Sequence, residues 1–138
     1  MSYNGWENYE TWLVNVEGYT DFWYNDFKEG IDECNSKKEL NDFFNRMDLD
    51  SITNFKEDED NAIYSISTYI KEGFEEILQN DIKDCSSIVQ NFVGSCIDEV
   101  NWYELASHIY SDLKEVVDDK LNEFKDAKDK KEQNNAPK

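Results

Sequence analysis

Residues 101–128 read NWYELASHIYSDLKEVVDDKLNEFKDAK and form the longest unbroken helical pattern in the chain. Its apolar residues are Trp102, Leu105, Ala106, Ile109, Leu113, Val116, Val117, Leu121 and Phe124. They recur at steps of three and four, the spacing of one face of an α-helix. Asn101 stands at the N-cap position, and Glu104 three residues later completes a capping box. No Gly or Pro interrupts the run. The opposite face carries Glu104, His108, Asp112, Glu115, Asp119, Glu123 and Asp126. One long helix is therefore expected to bury one side and present a row of carboxylates on the other.

Upstream of this helix the same period repeats in shorter pieces. From Asn8 the apolar residues Tyr9, Trp12, Leu13, Val16, Tyr19, Trp23 and Phe27 predict a helix that Gly18 bends or splits, with Gly30 as its stop. Asn4 with Glu7 has capping-box spacing, and Asn8 is a second candidate cap. Ser36 with Glu39 is a further capping box, opening a short helix through Leu40, Phe43, Phe44 and Met47. Residues 48–61 are polar and acidic and read as a loop or helix approach; residues 49–55 are the best minor candidate for a strand. Asp60 or Asn61 is expected to cap a long helix whose face is Ile63, Ile66, Ile70, Phe74, Ile77 and Leu78, with Glu72, Glu75 and Glu76 outward. Gly73 reads as a helix-interior weakness of about 1 kcal/mol relative to Ala, or as a close-packing point. After a turn at residues 80–84, Ser86 or Ser87 starts a helix through Ile88, Val89, Phe92, Val93, Cys96 and Ile97. This is the least charged segment, which predicts a central position. The expectation is an all-α bundle of about five helices over residues 1–124, followed by a frayed or disordered tail at 125–138 where the apolar period stops.

The chain has 138 residues, sufficient for one domain with one modest core. Aromatics make up 14% of it, too many for a disordered acidic segment. The formal net charge is −18. Residues 121–138 hold 4 acids and 5 bases, so the whole deficit lies in the body upstream. An excess this large repels itself, and it exceeds the magnitude of about 2–8 that suffices for solubility. It repels nucleic acid and anionic membranes and attracts basic surfaces. Cys34, Cys85 and Cys96 form no CxxC pair and read as reduced, mostly buried thiols of a cytoplasmic protein. The N-terminal MSYNGWENYE lacks the basic and apolar regions of a signal peptide, and no apolar run is long enough to span a membrane.

Two segments carry a resemblance. Tyr3-Asn4-Gly5-Trp6-Glu7-Asn8-Tyr9-Glu10-Thr11-Trp12-Leu13-Val14 resembles the opening of small, largely uncharacterised phage and plasmid proteins that begin Gly-Trp-x-Asn-Tyr-Glu-Thr-Trp-x-Val. Val100-Asn101-Trp102-Tyr103-Glu104-Leu105-Ala106 is similar to their later Trp-x-x-(Ile/Leu)-Ala segment. The resemblance implies a mobile-element origin and assigns no activity.

Catalytic and metal chemistries find little footing. Asp48, Asp50 and Glu59 fall at positions 1, 3 and 12 of a calcium loop, but Ile52 and Thr53 occupy positions 5 and 6. The single imidazole, His108, points outward among carboxylates, a poor setting for a general base. Five scattered glycines make no phosphate loop. The aromatics of the start, Trp6, Tyr9, Trp12, Tyr19, Trp23, Tyr24 and Phe27, are too many for one face of one helix, so most are core; stacking platforms for bases come with basic grooves, and the acidic background disfavours nucleic-acid binding. No catalytic residue, metal or cofactor is expected.

The acidic faces remain. Outward carboxylates on a stiff helix form a ladder that imitates the field of duplex phosphates. In composition and helicity the chain resembles the acidic DNA-mimic anti-restriction proteins of phages. The expected function is non-enzymatic inhibition of a host defence system, anti-CRISPR or anti-restriction, by occupying a basic DNA-binding cleft in the host cytoplasm. The expected contact residues are Glu104, Asp112, Glu115, Asp119 and Glu123, with Glu72, Glu75, Glu76, Glu57, Asp58, Glu59 and Asp60 second. The alternative is a helical interaction module that docks through its N-terminal aromatic surface. Neither reading requires nucleic acid or membrane contact, and both leave room for a homodimer.

Overall fold

The computed structural model describes residues 2–49 and 51–134, with side chains as far as Lys128. Among these residues there are seven helices: α1 (Tyr9–Val16), α2 (Tyr19–Asp32), α3 (Lys37–Arg46), α4 (Ile52–Glu57), α5 (Glu59–Ile82), α6 (Ser87–Glu99) and α7 (Trp102–Asn134). The only extended pairing among them is an isolated bridge between Tyr3 and Trp6. The all-α class stands, and two events raise the count above five. Gly18 takes φ +91° and splits the first helix into α1 and α2. The polar stretch expected as a loop or helix approach, and the minor strand candidate within it, fold as α4, because Ser51 caps it and Ile52 and Phe55 supply one buried face.

α7 forms the spine. Leu105, Ala106, Ile109, Leu113 and Val117 are fully buried, Trp102 nearly so, and Val116, Leu121 and Phe124 pack half-buried against the same core. α2 contributes Trp23, Phe27 and Ile31; α5 contributes Ile63, Ile66, Ile70 and Phe74. Trp23, Phe74 and Trp102 meet edge-on or tilted, with centroids 5.4–6.2 Å apart, a favoured aromatic geometry. Phe44, Phe55 and Tyr110 continue the cluster under α3 and α4. Two groups on the spine were not singled out from sequence. Buried Tyr110 donates its hydroxyl to the Phe55 carbonyl at 2.8 Å. Nearly buried Lys120 donates to the Asp32 carbonyl at 2.9 Å, satisfying the end of α2.

Other boundaries move for local reasons. α2 runs through Gly30 to Asp32. A Cβ at Gly30 would lie 2.2 Å from Phe43 Cε2, so this residue is the point where α3 closes on α2. Gly73 is the reverse: a Cβ there meets nothing within 4 Å. Asp58, not Asp60 or Asn61, caps α5, accepting from the Asn61 N–H at 3.2 Å. Asn4 makes no capping box with Glu7. It forms a two-residue turn with Gly5, both at positive φ (48° and 89°), closed by reciprocal Tyr3–Trp6 backbone hydrogen bonds of 2.6 and 2.8 Å. The stretch expected as frayed end and tail is helical to Asn134, and residues 135–138 lie outside those described.

α6 departs furthest from expectation. It is peripheral, with Ile97 its one buried residue, while Ile88, Val89 and Phe92 face solvent. Its lack of charge does not reflect burial. The Gln90 amide ties its first half to the carbonyls of Ile82, Lys83 and Cys85 at 3.2–3.4 Å, satisfying the end of α5. The thiols also differ from expectation: Cys34 is buried, but Cys85 and Cys96 are exposed. No described helix is long and apolar enough to cross a membrane.

Candidate functional site

The outer face of α7 positions the principal acids. Asp112, Glu115, Asp119 and Glu123 are all exposed. At 3.6 residues per turn they fall within an arc of about 80° and span about 16 Å of axis. Their rigidity comes from the opposite face, whose side chains are locked in the core. Among the described residues, the side chains of Asp112, Glu115 and Asp119 make no hydrogen bond or ion pair, and Glu123 lies 3.7 Å from Lys120 Nζ. The neighbouring Asp118 is different: half-buried and paired with Lys56 at 3.1 Å, it ties α4 to α7.

Glu104 begins the row but is engaged in the fold. Its Oε1 accepts the Glu7 backbone N–H at 3.0 Å. Asn101 caps α7 as expected, its Oδ1 accepting from the Glu104 N–H at 2.9 Å. The reciprocal half of the box is replaced by tertiary bonds. The Asn101 N–H donates to Thr11 Oγ1 at 2.8 Å, and its side-chain amide donates to the Glu7 carboxylate. Asn8 caps α1 through bonds from the Thr11 N–H and hydroxyl (2.9 and 2.6 Å), while its amide donates to the Glu99 carbonyl at 2.7 Å. Trp6 packs against the His108 ring with centroids 4.6 Å apart. The two resemblance segments are thus bonded to each other. Thr11, fully buried, sits at the centre of this clasp.

The second-rank acids separate into two groups. Glu57, Asp58, Glu59 and Asp60 are all exposed at the α4–α5 junction. Asp58 is a cap, Glu59 and Asp60 lie in the first turn where the helix dipole favours anions, and Asp60 accepts the Tyr103 hydroxyl at 2.8 Å. That bond, the largest influence on Tyr103, pushes its pKa up. On α5, Glu72 and Glu76 are exposed and Glu75 lies 4.0 Å from Lys71. Glu72 lines a recess with Asp48.

A denser acidic region was missed. Asp26 and Glu29 of α2, with Glu33 just past its end, face Glu39 and Asp42 of α3 across a groove of about 800 Å³, opposed by Arg46. Steps of three and four in the α2 acids gave half the signal; the docking of α3 supplies the rest. Cys34 lines this groove, and burial pushes its thiol pKa up, away from the reactive thiolate. Among the described residues no group of three or more His, Cys, Asp or Glu could hold a metal ion. The segment that imitated a calcium loop is helical from Ile52 to Glu57.

No protein-family model, curated protein or solved structure matches this chain.

Proposed function

We propose that this protein is a phage- or plasmid-borne inhibitor that occupies the basic nucleic-acid cleft of a host defence complex, a CRISPR effector or restriction enzyme, as an acidic decoy. The observation that carries the reading is the α7 row: exposed carboxylates at Asp112, Glu115, Asp119 and Glu123 on a helix whose other side is fixed in the core. Duplex DNA presents one phosphate per about 3.4 Å of axis on each strand. The row repeats every 4.5–6 Å or so along its axis, and further exposed acids lie at the α4–α5 junction. Phosphate contacts dominate non-specific affinity, so an imitation of the backbone needs no base edges. The net charge of −18 gives the long-range attraction that speeds such encounters. Glu104 contributes field, but its first role is structural.

The test is a restriction or CRISPR-interference assay in bacteria expressing the protein. Asp112→Lys, Glu115→Lys and Asp119→Lys combined should abolish protection of the incoming DNA with helix content unchanged. Full protection by that variant contradicts the mechanism. A second reading, docking through aromatics, has one observation in its favour: Tyr3 and Tyr9 are exposed and stack with Trp12 at 4.9–5.7 Å. Under it, Tyr9→Ala removes protection and the charge reversals do not.

A further inference from the structure

A second surface lies apart from the acidic row. The outer face of α1 and the exposed side of α6 enclose an apolar groove of about 310 Å³, floored by Phe74 and Leu78 of α5. Tyr9 and Leu13 form one wall; Phe92, Val93 and Cys96 form the other. Phe92 is 67% exposed, and Ile88 and Val89 extend the apolar strip along α6. Residues 86–97 contain no Asp, Glu, Lys or Arg, in a chain that is 33% charged. A contiguous exposed apolar strip of this kind marks an interaction surface.

The rim selects the occupant. Glu10 is the one charged residue lining the groove. Leu78, Val93 and Ile97 also line an adjoining cavity, where Glu75 and Asp98 face a single base, Lys83. A second copy of this chain would set the same acids against each other, with −18 on both bodies. A segment with apolar anchors and flanking Lys or Arg meets Glu10 on the α1 side and Glu75 and Asp98, which outnumber Lys83, on the other. The groove follows α6 from Phe92 to Ile97, and Ile88 and Val89 continue the apolar strip toward the start of the helix, about 14 Å in all, the length of two to three turns of a docked helix. The geometry points to a docking site for a basic amphipathic helix of a partner protein, laid between α1 and α6 with its apolar face inward. This surface shares no residue with the α7 row and does not depend on the decoy mechanism.

The probe is a fluorescent Leu/Lys amphipathic peptide of about four turns, with a Ser/Lys peptide of equal charge as control, followed by anisotropy at about 0.5 M salt, where the screening length is roughly 4 Å. The Leu/Lys peptide should bind at least about tenfold more tightly than the control. Phe92→Asp and Leu13→Asp should each weaken it about tenfold or more, with circular dichroism confirming that the variants fold. The triple α7 reversal should bind within about twofold of the parent. Equal binding of the two peptides, or undiminished binding by Phe92→Asp, overturns the proposal. So does a free chain that sediments as a dimer dissolved by Phe92→Asp, since a second copy would then be the occupant.

Discussion

Thr11 shows how much of this fold rests on one hydroxyl. Its Oγ1 accepts the Asn101 N–H at 2.8 Å and donates to Asn8, so it joins the caps of α1 and α7. Thr11→Val keeps the shape and leaves the Asn101 N–H without a partner, which costs about 1–3 kcal/mol. Urea unfolding should show that loss, with Thr11→Ser closer to the parent. Tyr110 gives a pH prediction. Burial is the main influence raising its pKa, and its hydroxyl donates to the Phe55 carbonyl. The folded state therefore holds the proton more tightly than the unfolded state. The resulting stability is complete below the unfolded value of about 10 and is lost as pH rises through the folded one. Tyr110→Phe should cost about 1 kcal/mol near neutrality and flatten the alkaline limb of the stability curve. At this scale caps were legible: Asn8, Ser36 and Asn101 all accept from the N–H three residues on, because capping is a local rule. The destination of the Glu104 carboxylate was not, since its partner, Glu7, is 97 positions away.

Among the elements, α7 was read almost entirely from its period, because every apolar step lands on a face that the core covers. α6 was misplaced for the complementary reason. Periodicity and low charge identify an apolar face but not what lies against it, and in α6 only Ile97 is buried, with Val93 packing half-buried against the core. α4 was missed because six residues with two apolar positions, Ile52 and Phe55, give too short a pattern. α5 carries a correctable weakness. A Cβ at Gly73 would meet nothing within 4 Å, so Gly73→Ala should stabilise the protein by up to about 1 kcal/mol. A thermal melt that is unchanged or lower would show that the glycine serves packing after all.

For the whole molecule, charge sets the behaviour. Among the described residues the ion pairs engage Asp32, Asp118, Glu75 and Glu123, while the chain holds 32 acids against 14 bases. Most of the excess is therefore unrelieved within the fold. Screening should relax it, so the melting temperature should rise between roughly 0.02 and 0.5 M salt. The acidic row on α7 was legible because one helix carries it. The acidic groove between α2 and α3 was not, since it exists only after those helices dock. The central claim is that the α7 row stands in for DNA phosphates before a cationic cleft. Its most direct test is capture from bacterial lysate at low salt, parent against the Asp112→Lys, Glu115→Lys, Asp119→Lys variant, with stepwise salt elution and duplex DNA as competitor. The parent should retain basic nucleic-acid-binding proteins, duplex DNA and salt should release them, and the variant should retain none. Retention of the same proteins by the variant, or indifference to duplex DNA, would contradict the claim.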